Sequence, residues 1–244
     1  SPRFRIPLPR ISLHNLKIMN YFWYHRDAMN GEEEKGFGFP DATGATPLSS
    51  IAQAFEDLAG LVARASLGDL RLKTLCDACS LVSVLFNSLG MAFKFAESEY
   101  VAKVRNLMEA SKTYETLQSI LDLDVRNDTV RTHGSHTRNL RRVRQGLDLI
   151  RALFEQFLIS DDRSLREAAS TAYAQVCAPY HTWSIRTAVS AGMYALPTRD
   201  QLLLKLNETY ESAEKEMRRY IEASLLVINY IDELYMSRRI SLDW

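Results

Sequence analysis

Apolar residues in this chain recur at the spacing of an α-helix. Ile51, Phe55, Leu58 and Val62 fall on one face of a helix, and seven later segments between residues 69 and 237 repeat that periodicity. No segment keeps the alternation of a β-strand. Only 10 glycines and 7 prolines interrupt 244 residues, which favours long helices over a turn-rich β architecture. The sequence therefore predicts an all-α fold of about eight helices.

The first 46 residues differ from the rest of the chain. They contain four prolines, a glycine-rich stretch over residues 31–44 and an aromatic cluster over residues 21–24. We interpret residues 1–46 as an N-terminal extension that is partly ordered or foreign to the natural protein. Its basic residues do not make a clear transit peptide. Residues 47–244 are predicted to be the functional domain.

Charge is balanced over the whole chain but not locally. The 30 basic and 30 acidic residues give no net charge, which argues against a general binder of nucleic acids or other polyanions. Between residues 131 and 151, however, six arginines stand against a single acid, Asp148. This segment is the first candidate for a binding site.

Cysteine content and hydropathy bear on the compartment. Three cysteines are typical of a protein in a reducing environment, and no apolar run approaches the roughly 20 residues that span a bilayer. The sequence therefore predicts a cytoplasmic protein, peripheral at membranes if it acts on them.

Motifs for catalysis are lacking. The chain has no nucleophile elbow, glycine-rich phosphate loop or zinc-protease motif, so we expect no catalytic residue, no metal site and no cofactor. Cys76 and Cys79 form a CxxC pair on the apolar stripe of a helix, and the pattern favours buried structural cysteines over a redox or zinc site.

The arginine-rich segment predicts a helix that Ser135 or Thr137 caps. Arg138 and Arg142 lie about 40° apart on it, with Gln145 close by. Two interpretations remain at this point: the solvated face of an amphipathic helix, or a pair of guanidinium groups that clamps a phosphate.

Several segments resemble the glycolipid transfer protein family, and most closely its plant branch of accelerated-cell-death-type ceramide-1-phosphate transfer proteins. The resemblance covers residues 47–244. The matching segments, in chain order, are Cys79–Val82, Leu89–Glu97, Tyr100–Val104, Gly134–Leu140, Gln145–Asp148, Leu153–Gln156, Tyr173–Val176, Ala178–Trp183 and Gly192–Arg199.

The resemblance implies a two-layer, all-helical fold around one lipid pocket, and it implies binding roles. Lys103, Arg138 and Arg142 correspond to residues that hold a lipid phosphate. Glu99 corresponds to the acid that binds the ceramide amide, where most of the family has Asp, and His181 to the histidine at the acyl group.

Apolar residues complete the predicted site. The candidates to line the pocket are Phe93, Phe95, Phe154 and Phe157. The candidates to face the membrane are Trp183, Tyr194, Leu196 and Pro197. Two further cations, Arg199 and Arg186, are candidates to meet anionic lipid heads.

The resemblance implies transfer of one sphingolipid between membranes without chemical change. Ceramide-1-phosphate is favoured over glycosylceramide, because a neutral sugar leaves the site's charges unpaired. No nucleic acid or known protein partner is implied, and a role in regulating cell death is an expectation from the resemblance. The alternative is a lipid sensor or protein-interaction module that binds the same lipid without bulk transfer.

Overall fold

The structure is a computed structural model, and it describes residues 44–64, 70–160 and 162–244. The predicted extension falls almost entirely outside the described residues, so the domain boundary at residue 47 stays a prediction. The described residues form no strand, and their only β pairing consists of two isolated bridges. The predicted all-α class is confirmed.

The described residues form nine α-helices. They are α1 Pro47–Arg64, α2 Leu72–Ser88, α3 Lys94–Ala110, α4 Leu117–Arg126, α5 His136–Ile159, α6 Arg166–Val176, α7 Trp183–Gly192, α8 Arg199–Lys205 and α9 Tyr210–Met236. Three 3₁₀ turns lie at Met91–Phe93, Ala178–Tyr180 and Met193–Ala195. The additional helix is α8, which spans only seven residues and is too short to show a clear period.

Helix α5 begins just after a predicted cap residue. The Ser135 hydroxyl accepts a hydrogen bond from the Arg138 N–H at 3.2 Å, which satisfies one of the free N–H groups at the start of α5. Of the two cap residues that the sequence offers, Ser135 is therefore the one used. The first turn of α5 is fixed by this bond, and Arg138 is part of that turn.

Helix α5 occupies the centre of the fold. It packs against α3, α6 and α9, while α1 packs against α9 and α2 against α3. The core around it is aromatic: the ring of Tyr220 meets Phe154 and Phe55 edge to face, with centroids 5.6 and 5.0 Å apart. The Tyr220 hydroxyl donates to the Leu147 carbonyl at 3.1 Å, which satisfies its polar end. Because α5 has neighbouring helices on several sides, its different faces contact different helices.

Helices α3 and α5 run antiparallel and approach closely. The ring of Tyr114, just beyond α3, contacts that of His136 at a tilt with centroids 5.5 Å apart, and Tyr100 lies against Gly146. A methyl group at Gly146 would lie 2.5 Å from the Tyr100 ring, so the approach depends on glycine. The Tyr100 hydroxyl donates to the Cys79 carbonyl at 2.9 Å, which holds the ring in place. This contact sets the spacing between the two helices.

The CxxC cysteines are structural, as the pattern favours. Cys76 and Cys79 are both buried in the core. Burial raises the pKa of the Cys76 thiol to about 12, so its thiolate is scarce near neutral pH.

Candidate functional site

The arginines of α5 fall into two groups. Arg141, Arg144 and Arg151 each lie within 3.6 Å of a carboxylate oxygen. In the described part of the chain, no carboxylate comes within 4.0 Å of Arg138 or Arg142. A structural role therefore accounts for the first three, whereas no carboxylate of the described residues neutralises the charge of the other two.

Arg142 is partly buried and its neighbour is neutral. Its Nη1 donates to the Gln145 Oε1 at 2.6 Å. Burial lowers the pKa of Arg142, and the positive charges of Arg138 and Arg141 lower it further. A cation that is desolvated and repelled by its neighbours gains free energy from an anion. This finding favours the anion site over the solvated-face interpretation.

Arg138 is oriented by the loop that leads into α5. Its Nη1 donates to the Arg131 carbonyl at 2.9 Å, and its backbone is held by the Ser135 cap. One guanidinium nitrogen is thus used for positioning while the group keeps its remaining donors.

Lys103 reaches the same region from α3. Because α3 and α5 are antiparallel about the Tyr100–Gly146 contact, Lys103 and Arg142 lie about one turn from that contact on their respective helices, at the same end. The Lys103 side chain is only 18% exposed, and its Nζ lies 3.6 Å from the Glu99 carboxylate, whose side chain is 56% exposed. The predicted amide-binding acid is therefore present as the ion-pair partner of the predicted phosphate-binding lysine.

His181 lies in the turn that follows α6. Its Nδ1 lies 2.8 Å from the Tyr173 hydroxyl, and the two rings are tilted against each other with centroids 5.6 Å apart. Burial lowers the pKa of His181, and the positive charge of Arg142 lowers it further. His181 is therefore neutral near pH 7. The sequence did not single out Tyr173, because nothing in the spacing of residues 173 and 181 reports the hydrogen bond.

The Tyr173 bond gives a testable prediction. Removing the hydroxyl in Tyr173→Phe frees the His181 ring to rotate, so we expect ligand affinity at the site to fall about 3–10-fold, from a hydrogen bond of about 1 kcal/mol. Isothermal titration with ceramide-1-phosphate, the lipid that the family resemblance implies, measures the affinity of each variant. Tyr210→Phe is the matched control, because its hydroxyl donates to Asp200 at an exposed position. Equal affinities of Tyr173→Phe and the parent would remove Tyr173 from the site.

The predicted pocket phenylalanines separate into two groups. Phe93, Phe154 and Phe157 are buried. Phe95 is 53% exposed and so lies outside the buried core, and its role in the pocket stays a prediction. Residues two apart in a helical stretch lie about 160° apart around the axis, so Phe93 and Phe95 face opposite sides.

The predicted membrane-facing residues lie at the surface to different degrees. Trp183 is 71% exposed and Tyr194 is 69% exposed, while Leu196 and Pro197 are half-buried. The turn Met91–Phe93 packs against both α7 and the turn Met193–Ala195, which brings the exposed Met91 to the same region. We refer to the exposed side chains of Met91, Phe95, Trp183 and Tyr194 as the apolar rim.

Of the two further cations, one is placed differently from the prediction. Arg199 is buried and stacks on the Phe157 ring, 4.0 Å from its centroid. It donates to backbone carbonyls of residues 157, 160 and 162 and so closes the loop after α5. The expectation that Arg199 meets lipid heads is wrong. Arg186 is exposed.

The described helices fall short of a bilayer span. None of those within residues 44–64, 70–160 and 162–244 has both the length and the apolar content that crossing a membrane would need.

Known proteins are similar to this chain along most of its length. The family model for glycolipid transfer protein matches residues 70–208. The ACD11 homolog protein of Arabidopsis thaliana is 64% identical in an alignment of length 224 that covers 87% of this chain and 98% of the relative. The ceramide-1-phosphate transfer protein of Mus musculus is 34% identical over 61% of this chain and 73% of its own.

A solved structure shares the fold. A point mutant of Arabidopsis ACD11 (accelerated-cell-death 11), complexed with C12 ceramide-1-phosphate, superposes with a TM-score of 0.80 at 48% identity, and covers 82% of this chain and 100% of its own. This likeness agrees with the two-layer helical fold that the family resemblance implied for this chain. With the family model spanning more than half of the residues and a relative of this identity, the chain belongs to the glycolipid transfer protein family.

Proposed function

We propose that this protein binds one molecule of ceramide-1-phosphate and transfers it between membranes without chemical change. The observation that carries the proposal is the pair of guanidinium groups at Arg138 and Arg142, which no carboxylate of the described residues neutralises. A relative of known structure that binds the same lipid supports the choice of ligand.

Charge at the site matches a phosphate monoester. Lys103, Arg138 and Arg142 contribute three positive charges and Glu99 one negative charge. The difference of about two compensates the −1.5 to −2 charge that a phosphate monoester carries near pH 7. The planar guanidinium fork of an arginine can also donate two parallel hydrogen bonds to a pair of phosphate oxygens.

The same balance disfavours a glycosylceramide. A neutral sugar would leave the partly buried Arg142 without a counter-charge, and an unpaired polar group at a desolvated site costs about 1–3 kcal/mol or more. We therefore expect ceramide-1-phosphate to bind more tightly than a glycosylceramide.

Binding exchanges the partners of Lys103. When the phosphate takes the Lys103 ammonium group, the Glu99 carboxylate loses its partner at 3.6 Å and becomes available to accept the ceramide amide N–H. When the Tyr173 hydroxyl donates to Nδ1, His181 carries its proton on Nε2, which can donate to the acyl carbonyl. The two chains then lie among the buried apolar side chains around α5, with Phe93, Phe154 and Phe157 as the candidate contacts.

The apolar rim supports docking on a membrane surface. Trp183 and Tyr194 are exposed although large aromatic side chains are usually covered, and aromatic residues of this kind prefer the membrane interface. Arg166 stacks on the Tyr194 ring, 3.6 Å from its centroid, and Arg186 is exposed nearby in α7, so cations accompany the rim. The protein is thus proposed to act as a peripheral membrane protein.

Trp183→Ala tests the rim. Losing part of the interfacial burial of an indole ring removes about 1–2 kcal/mol of docking free energy, so we expect vesicle transfer to slow about tenfold. Affinity for a dispersed short-chain ceramide-1-phosphate should stay at the parental value. Leu226→Ala is the control, because Leu226 is exposed on α9 outside the rim. A parental transfer rate in Trp183→Ala would exclude the residue from docking.

Transfer itself is tested with labelled lipid. Fluorescent ceramide-1-phosphate should leave donor vesicles when the parent protein is added, and mass spectrometry should recover the lipid intact. Stoichiometric binding without transfer would instead support the sensor function. A chemically altered product would show that the protein is an enzyme. Native mass spectrometry of the purified protein independently identifies any bound lipid.

A further inference from the structure

Gln145 lies next to the phosphate-binding arginines but is buried more completely than they are. Its side chain is 6% exposed, and its Oε1 accepts from the Arg142 Nη1 at 2.6 Å. Its Nε2 has no hydrogen-bond partner among the described residues. A buried amide with one end satisfied and the other unpaired is uncommon, because the unpaired end forfeits its hydrogen bonds to water.

The orientation of this amide is fixed by chemistry. Arginine has donors and no acceptor, so only the carbonyl oxygen of Gln145 can face Arg142. The two N–H groups must therefore point away from the guanidinium. The usual ambiguity between the oxygen and nitrogen of a glutamine side chain does not arise here.

The position of Gln145 on α5 indicates what its N–H groups face. Arg138, Arg142, Gln145, Leu149 and Leu153 lie within about 80° of one another around the helix axis. Along this stripe the side chains change from charged, through one amide, to buried and apolar. A lipid with its phosphate on the arginines and its chains along the leucines would place the junction of headgroup and ceramide backbone at Gln145.

We propose that Gln145 holds the Arg142 guanidinium in place through its carbonyl oxygen and donates its free N–H groups to an oxygen of the bound lipid where the headgroup joins the backbone. The candidate acceptors at that junction are the phosphate ester oxygen and the adjacent hydroxyl group. This inference rests on the proposed function, since it deepens the description of the same site. It adds to the site a residue that contacts the lipid where the headgroup joins the backbone.

Two substitutions separate the two roles. Gln145→Met keeps the length of the side chain and removes both its acceptor and its donors. Gln145→Glu keeps an acceptor for Arg142 but removes the donors and adds a negative charge beside the phosphate. Gln175→Glu, at an exposed position on α6, is the matched control for the added charge.

Binding of short-chain ceramide-1-phosphate to the full chain is measured by isothermal titration. We expect Gln145→Met to weaken binding about tenfold and Gln145→Glu to weaken it at least as much, while Gln175→Glu binds like the parent. Retained affinity in Gln145→Met overturns the proposal. Parental affinity in Gln145→Glu overturns the donor role of the amide.

Melting of the lipid-free protein gives a readout that a purely structural residue would not produce. Because the methionine removes an unpaired buried amide end, the melting temperature of Gln145→Met should equal or exceed that of the parent. A drop of several degrees would mean that Gln145 stabilises the fold, and would overturn the proposal. This comparison needs no ligand. If the parent fails to bind ceramide-1-phosphate, the proposed function fails by itself, and the melting comparison still decides whether the amide is unpaired without a ligand.

Discussion

Arg142→Leu should abolish measurable transfer of ceramide-1-phosphate between vesicles, with a loss of about 100-fold or more. The guanidinium is partly buried, and no carboxylate of the described residues pairs with it, so its charge is available to the ligand. Hydrogen bonds to charged groups contribute about 1.5–3 kcal/mol each, and a guanidinium–phosphate contact makes two of them. The measurement is the initial rate of fluorescent lipid transfer.

The fold should survive this substitution. Arg142 makes its one described hydrogen bond to Gln145, within the same helix, so leucine removes no contact between helices. The helical circular dichroism is therefore expected to match that of the parent. Arg218→Leu on α9 is the control, since Arg218 is exposed and its salt bridge within the described residues is to Glu214 of its own helix. Equal transfer by Arg142→Leu and Arg218→Leu would contradict the assigned role.

Gly146→Ala is expected to destabilise the protein although alanine is the better helix former. The added methyl group would lie 2.5 and 2.8 Å from two carbons of the Tyr100 ring. To relieve this overlap, either α3 moves away from α5 or the ring turns and breaks its hydrogen bond to Cys79. Overpacking of this kind costs about 1–3 kcal/mol, and each kcal/mol lowers the melting temperature by about 2–4 °C in a chain of this size.

Gly60→Ala is the matched control for this effect. Gly60 lies within α1, and a methyl group there would meet only the end of the flexible Arg64 side chain at 3.5 Å. Alanine should therefore stabilise by up to about 1 kcal/mol through helix propensity. Transfer should also fall in Gly146→Ala, because the spacing of Lys103 and Arg142 depends on the contact. A melting temperature for Gly146→Ala at or above the parental value would show that the contact is not tight.

Helix positions were largely predictable from the chain itself. The apolar spacing of Ile51, Phe55 and Leu58 predicted α1, and the cap candidates Ser135 and Thr137 predicted the start of α5, where the structure uses Ser135. These signals are local, because a helix is built from bonds between residues four apart. The short helix α8 was missed for the same reason, since seven residues give too little periodicity.

Side-chain placement was less predictable. Helical geometry places Phe93 and Phe95 about 160° apart, and the packed fold determines that Phe93 is the buried one. Arg199 is buried since it closes a loop about 40 residues earlier in the chain. No local pattern reports which of the two phenylalanines is buried, or that Arg199 is buried.

The arginines of α5 illustrate what the sequence determined and what only the tertiary structure determined. Sequence alone determined that Arg138 and Arg142 share a face of one helix, because helical geometry fixes the angle between them. Sequence could not decide between a solvated face and an anion site. The tertiary structure determined which arginines are paired: Asp232 reaches Arg144 from α9, 88 residues away, whereas no carboxylate of the described residues pairs with Arg138 or Arg142, and this supports the proposed anion site. An unpaired charge is a property of the surroundings of a residue, and only the packed fold brings those surroundings together.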